Sequence, residues 1–227
     1  MRPVEVRELP LVRDGDRDFG HAVHHGDGST AFDREFTLLV NEIWSISHDH
    51  DEDIQESIWT DFDPDYFTIN GRVHPQTELL NGDPAVPDQP VSSLMQCNGG
   101  DRVLLRLANL GYQQHGMQLP GIQPLKVVGE DATLLRSTGG ADLSYATNTI
   151  YIGPGEARDV IFTAPPYDPA RPGGSDGRGP YNTYWFKSSS AKDLHNAGGP
   201  GLGGMATQVH VHQLALPAQS TANETYA

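Results

Sequence analysis

The feature that most constrains this chain is its punctuation. Short apolar runs recur along its length, each stopped by Gly, Pro, Asn or Asp, and no stretch carries the spacing of a convincing amphipathic helix. The runs FTLLVNEIW (36–44), YFTIN (66–70), SSLMQC (92–97), RVLLRLAN (102–109), QHGMQL (114–119) and LKVVGE (125–130) read as strands. So do TNTIYIG (147–153), EARDVIFTA (156–164), YNTYWFKSS (181–189) and MATQVHVHQLAL (205–216). In RVLLRLAN, Val103, Leu105 and Leu107 share one face because strand side chains alternate. FTLLVNEIW is apolar on both faces, which predicts a buried strand. The turn Asn98-Gly99-Gly100-Asp101 is expected to let two strands of one sheet pair, and Pro154-Gly155 to do the same for the next two. Roughly eight to ten short strands with turn signals between them predict an all-β Greek-key sandwich with long irregular loops. The stretches 46–56, 72–90, 165–180 and 190–204 read as loops. Residues 1–34 read as an N-terminal arm, 35–216 as the domain, and 217–227 as a flexible, frayed tail.

Charge narrows the partners. With 15 basic and 30 acidic residues, the net charge is −15, which repels nucleic acid and anionic membrane surfaces. No run is apolar and long enough to span a membrane, and the opening MRPVEVRELP has no signal-peptide core. Cys97 stands alone, so no internal disulfide forms and no disulfide framework marks a compartment. Just before a turn, it reads as a small buried hydrophobe.

Several phrases together resemble multicopper oxidases. FTINGRVHPQT is similar to an Ile-Asn-Gly phrase of that family, and CNGGDRVLLRLANLG to its Gly-Asp-led strand. LKVVGEDATLL resembles the strand that follows, and YIGPGEARDVIFTAP a Pro-Gly turn leading into Arg-Asp-Val. They occur in the family's order over residues 33–213, and FDREFTLLVNEIW is similar to the join between first and second domains. The long acidic style resembles bacterial members, including the manganese-oxidising kind. The resemblance implies a sandwich of cupredoxin type.

Copper is where the sequence departs from the family. A blue copper centre needs two imidazoles, a thiolate and usually an axial thioether. Set against the family's His-Pro-x-His-Leu-His-Gly phrase, His115 falls on the first His, but Gln118 and Pro120 fall on the others. YWFKSSSAKDLHNAGGPGLGGM occupies the place of the family's His-Cys-His phrase and holds His195 and Met205 but no Cys. Cys97 precedes His115, whereas the resemblance calls for a thiol after it. This is the pattern of the family's second, copper-free domain, which spaces its copper-bearing neighbours. The resemblance therefore implies a non-catalytic structural cupredoxin domain. No cofactor is expected in this chain. Copper is expected in the full-length enzyme, which couples substrate oxidation to dioxygen reduction. The expected partners are the neighbouring copper-bearing cupredoxin domains, with no nucleic acid and no membrane, and the whole enzyme is expected to be periplasmic or secreted.

The alternative is a free-standing cupredoxin-like module for copper carriage, with His115, Met117, His210 and His212 as metal ligands. His115 and Met117 alternate onto one face, where the plainer reading is a packed strand. His210 and His212 also share a face, and sheet His pairs can hold zinc or copper. The preferred reading sets them on a solvent-facing half-strand with Val209 and Val211 inward, since no third ligand is evident nearby. His48 and His50 lie in an acidic stretch without Ca²⁺-loop spacing, and His21, His24 and His25 in the arm. Tyr184, Trp185 and Phe186 read as sandwich core.

Overall fold

The computed structural model describes residues 28–131 and 133–227. Most of the expected arm, with His21, His24 and His25, lies outside the described residues. In chain order the elements are β1 (Arg34–Ile43), α1 (Ser45–Glu52), β2 (Tyr66–Ile69), β3 (Met95–Asn98), β4 (Arg102–Asn109), β5 (His115–Gln118) and β6 (Leu125–Glu130). Then come β7 (Thr133–Leu134), β8 (Tyr145–Thr147), β9 (Ile150–Ile152), β10 (Ala157–Thr163), β11 (Gly173–Asp176), β12 (Gly179–Ser188) and β13 (Ala206–His212). The first sheet runs β2-β1-β4-β10-β6-β7, with β8 also on β6. The second runs β3-β13-β12-β5-β9, with β11 also on β12. The expected all-β sandwich is what forms.

The core lies between the sheets and follows strand alternation. Phe36, Leu38 and Val40 of β1 and Val103, Leu105 and Leu107 of β4 meet Tyr184, Phe186, Val209 and Val211 from the opposite sheet. Cys97 is fully buried in the same cluster, as expected for a small hydrophobe. Three expectations need correction. β1 buries only alternate residues, and Leu39 on its other face is 37% exposed. Trp185 is not core, because it alternates outward between Tyr184 and Phe186 and packs edge-on against His74. Residues 45–52 form a helix rather than a loop, but none of its side chains is buried, so it has no apolar stripe to announce it.

The two Gly turns also do something other than expected. Asn98-Gly99-Gly100-Asp101 leads from β3 in one sheet to β4 in the other, and Pro154-Gly155 leads from β9 to β10 across the same gap. They are corners of the sandwich, not hairpins. Gly100 and Gly155 take positive φ angles of 91° and 75°, and a Cβ at Gly99 would press on the backbone of Pro166 at 2.9 Å. TNTIYIG, expected as one strand, splits for the same reason: β8 pairs with β6 and β9 with β5.

The tail corrects a further expectation. β1 pairs with β2 only from Val40 to Ile43, leaving its first half with an open edge. Side-chain amides close that edge in place of a strand. Gln219 accepts from Glu35 N and donates to Glu35 O, and Asn223 accepts from Thr37 N at 2.7 Å and donates to Thr37 O at 2.9 Å. Asn70 does the same for Leu39 N. Gln219, Asn223 and Tyr226 are buried, so residues 217–227 pack rather than fray. Arg34, also buried, ties this region together through Asp101 Oδ2 at 2.6 Å, the Tyr226 hydroxyl and the Pro217 carbonyl. Removing the Asn223 amide leaves Thr37 N–H without its partner in a partly buried setting. Asn223→Ala is expected to lower unfolding free energy by about 1–3 kcal/mol in a denaturant titration. An unchanged midpoint would show that the tail does not close the edge.

Candidate functional site

The position that the sequence aligns with a copper ligand is occupied by an ion cluster. Glu42 is the penultimate residue of β1 in the first sheet, His115 opens β5 in the second, and Asp193 comes from a short 3₁₀ turn at Lys192–Leu194. His115 Nε2 lies 2.9 Å from Glu42 Oε2 and its Nδ1 lies 3.0 Å from Asp193 Oδ2. All three are buried. Glu42 Oε1 also accepts from the backbone N–H groups of Tyr112 and Gln113, and Asp193 accepts from the Ser188 hydroxyl. Gly111 leaves room for this, since a Cβ there would overlap the Glu42 carboxylate. Burial alone would pull the His115 pKa down, but the hydrogen bonds and charges of Asp193 and Glu42 outweigh it and lift it from 6.5 to about 9. Burial likewise pushes the two carboxylates up, and the His115 contact leads the forces that hold them below their ordinary values. His115 is therefore an imidazolium near neutral pH, with both ring nitrogens engaged and no lone pair for a metal.

The candidate ligands fall into two groups that the fold keeps apart. Met117 faces the core, as do Val209 and Val211, so His210 and His212 project from the opposite face of that sheet. Along β12, His210 pairs opposite Thr183 and Met117 opposite Ser188, a separation of roughly 17 Å at strand rise. His115, Met117, His210 and His212 do not form one site. Cys97 does not complete His115 either: β13 and β12 lie between their strands, about 14 Å at the usual spacing. Burial pushes the Cys97 thiol up, away from the thiolate that copper needs. The residues present do not fit a blue copper centre.

His210 and His212 are not solvent-facing as expected. They are 6% and 1% exposed, because the outward face of β13 is covered by Tyr181, the 78–96 segment and the tail. The Tyr181 ring stacks on His210 at 3.8 Å. Asp176, at the end of β11, joins them: one donor atom from each of Asp176, His210 and His212 lies within 4.8 Å of the others. Burial, and then the charge of His212, pull the His210 pKa down to about 3, and burial also lowers that of His212. Both are neutral near pH 7. Sequence reasoning missed Glu42, Asp193 and Asp176, which are remote in sequence from the histidines they meet; no local motif marks them. His48 and His50 sit two apart on α1 and do not share a face.

One end of the sandwich carries an aromatic cluster. Trp44, Trp59, Phe62 and Tyr112 pack with ring centroids 5.5–6.1 Å apart. Trp59, Tyr112, Ile58 and Leu110 are nonetheless more than half exposed. Tyr112 belongs to the segment whose N–H groups hold Glu42, so this apolar surface adjoins the ion cluster.

Comparison with known proteins fits this architecture. No protein-family model matches the chain. Laccase-5 of Arabidopsis thaliana is 28% identical over 167 residues, covering 72% of this chain and 24% of the laccase. The blue copper oxidase of Nitrosomonas europaea superimposes with a TM-score of 0.56 at 20% identity, over 78% of this chain and 43% of that one. The multicopper oxidase mgLAC gives 0.57 at 19% identity, over 81% and 45%. The chain thus spans less than half the length of each. With two curled sheets and cross-sheet corners, the chain is a cupredoxin-like β-sandwich, similar in fold to domains of multicopper oxidases and in sequence to a laccase.

Proposed function

We propose that this domain is a non-catalytic structural module of a multicopper oxidase, positioning copper-bearing neighbours rather than holding copper. The observation that carries the reading is the Glu42–His115–Asp193 cluster, where a protonated imidazole stands at the position that the family resemblance gives to a ligand. Cys97, buried some three strands away, supplies no thiolate to it. The exposed aromatic surface beside the cluster supports a neighbouring cupredoxin domain as its cover, since apolar patches of this kind mark interaction sites. The whole enzyme would oxidise a substrate and pass its electrons to dioxygen through copper held elsewhere. Copper carriage by a free-standing module is the weaker reading, because its four ligands lie in two separate places.

Two measurements test this reading. Copper(II) added to the full chain is expected to give no intense blue Cu–thiolate absorption, and Cys97 is expected to react with a thiol reagent only after unfolding. A blue band that disappears in Cys97→Ser would overturn the proposal. The second test uses pH. His115 has a folded pKa of about 9, above its ordinary 6.5, so its stabilisation is complete below pH 6.5 and is lost as pH rises through about 9. The carboxylates behave oppositely, contributing above their ordinary range and losing that contribution as pH falls. Unfolding free energy is expected to fall by about 3 kcal/mol between about pH 6 and about pH 10, and His115→Gln to flatten that slope. Equal slopes in both proteins would show that the imidazolium is not the clamp.

A further inference from the structure

The outward face of β13 holds a second group of histidines whose hydrogen bonds differ in kind from those of His115. Gln208 Nε2 donates to Glu78 Oε1 at 2.7 Å, which turns its Oε1 toward His210 Nε2 at 2.8 Å. His210 Nε2 must then carry the proton, and Nδ1 is left as a bare lone pair. That Nδ1 is buried and has no hydrogen-bond partner. Gln96 is fixed in the same way: its Oε1 accepts from Tyr226 N at 2.7 Å and its Nε2 donates to Tyr226 O at 3.0 Å. The remaining Gln96 N–H faces His212 Nε2 at 3.4 Å, which makes that nitrogen a lone pair and places the ring proton on Nδ1, a buried atom without a hydrogen-bond partner. Opposite it, 3.8 Å away, stands Asp176 Oδ2. The other Asp176 oxygen is held by Arg178 N at 2.8 Å.

Two electron-rich atoms therefore face one another across a partly buried gap with no proton between them. We propose that Asp176, His210 and His212 form a binding site for a borderline divalent transition ion such as zinc(II). Two neutral imidazoles and a carboxylate are the donor set of zinc sites that keep one position open. The Gln208 amide behind His210 and a backbone N–H behind the carboxylate are the outer contacts that orient such ligands, and an ion at His212 Nε2 takes the lone pair that Gln96 now meets. Donor atoms in a tetrahedral zinc site lie roughly 3.3 Å apart, from bonds of about 2.0–2.1 Å. The 3.8 Å pair needs little movement, and the 4.8 Å limit on the rest asks for about 1.5 Å of closure. Asp176 can supply the closure on its own side, since it ends the edge strand β11 and is only partly buried, and rotation of the imidazoles supplies the closure between the two histidines. A cavity of about 440 Å³, lined by Gln96, Asp176, Tyr181, His210 and Tyr226, gives an ion its way in. Bound there, the ion would tie β11 to β13 and the tail. The site lies on the face opposite Met117 and does not depend on the copper-free reading of the domain.

The test is a zinc(II) titration of the full chain after chelator treatment, followed by competition with a chromophoric chelator and by NMR of the histidine ring protons. The expected result is one tight equivalent of zinc that shifts the ring signals of His210 and His212 and raises the thermal midpoint, with no effect from calcium(II). Asp176→Asn, on the partly exposed hairpin, keeps the fold and is expected to weaken zinc at least tenfold; His212→Gln, checked for folding by circular dichroism, is expected to weaken it further. Zinc affinity unchanged in Asp176→Asn, or ring shifts at other histidines only, would overturn the proposal, as would no tight equivalent at all.

Discussion

One buried imidazolium holds the two layers of this domain together at the end where its long loops gather. Glu42 belongs to one sheet, His115 to the other, and Asp193 to the loop that follows β12. Taking three charges out of water is costly, and their attraction repays it only when each remaining lone pair is also satisfied. Here the second Glu42 oxygen is met by Tyr112 N and Gln113 N, and Asp193 Oδ2 accepts from the Ser188 hydroxyl as well as from His115. Deleting one member would leave uncompensated charge in a dry place, so the three stand or fall as a set. A histidine recruited in this way has given both nitrogens to structure.

The same economy appears at the opposite edge. A β1 strand paired along only half its length would present bare N–H and C=O groups to any passing strand. Gln219, Asn223 and Asn70 answer them with side-chain amides, which carry a donor and an acceptor at strand-like spacing. Arg34 then reaches from β1 to the corner at Asp101 and to Tyr226, so the tail, the corner and the strand share one anchor. The tail thus completes a sheet to which it contributes no strand.

These arrangements explain which parts of the molecule could be read from its sequence. Strand identity was legible where alternation is local: Val103, Leu105 and Leu107 point inward as their spacing says, and LKVVGE is β6 residue for residue. What a turn connects was not legible. Asn98-Gly99-Gly100-Asp101 and Pro154-Gly155 have hairpin chemistry, yet they join strands of different sheets, and pairing is decided by partners far away in sequence. The helix at 45–52 was hidden because nothing on it is buried. The tail was hidden because its polar composition reads as solvation, when those amides are its bonds to β1. At the site, His115 was found by resemblance, but Glu42 and Asp193 are 73 and 78 residues away, beyond any motif.

Partner chemistry, more than residue type, then decides what each histidine can do. His115 faces two carboxylates and becomes a cation. His210 and His212 face amides whose own orientation is fixed by Glu78 and by the Tyr226 backbone, and they stay neutral, His210 with a buried, unpartnered lone pair on Nδ1 and His212 with one on Nε2 that meets the Gln96 amide. Both outcomes come from burial acting on the same ring with a pKa near 6.5; the sign is set by whether the nearest polar group carries a charge. β13 shows how little distance separates structure from chemistry here: Val209 and Val211 fill the core, and one residue along, on the other face, the strand presents two unprotonated nitrogens toward Asp176. A sandwich whose interior offers copper no thiolate still has outer faces, and it is on such a face, away from the loop end, that this sequence has gathered a ligand set.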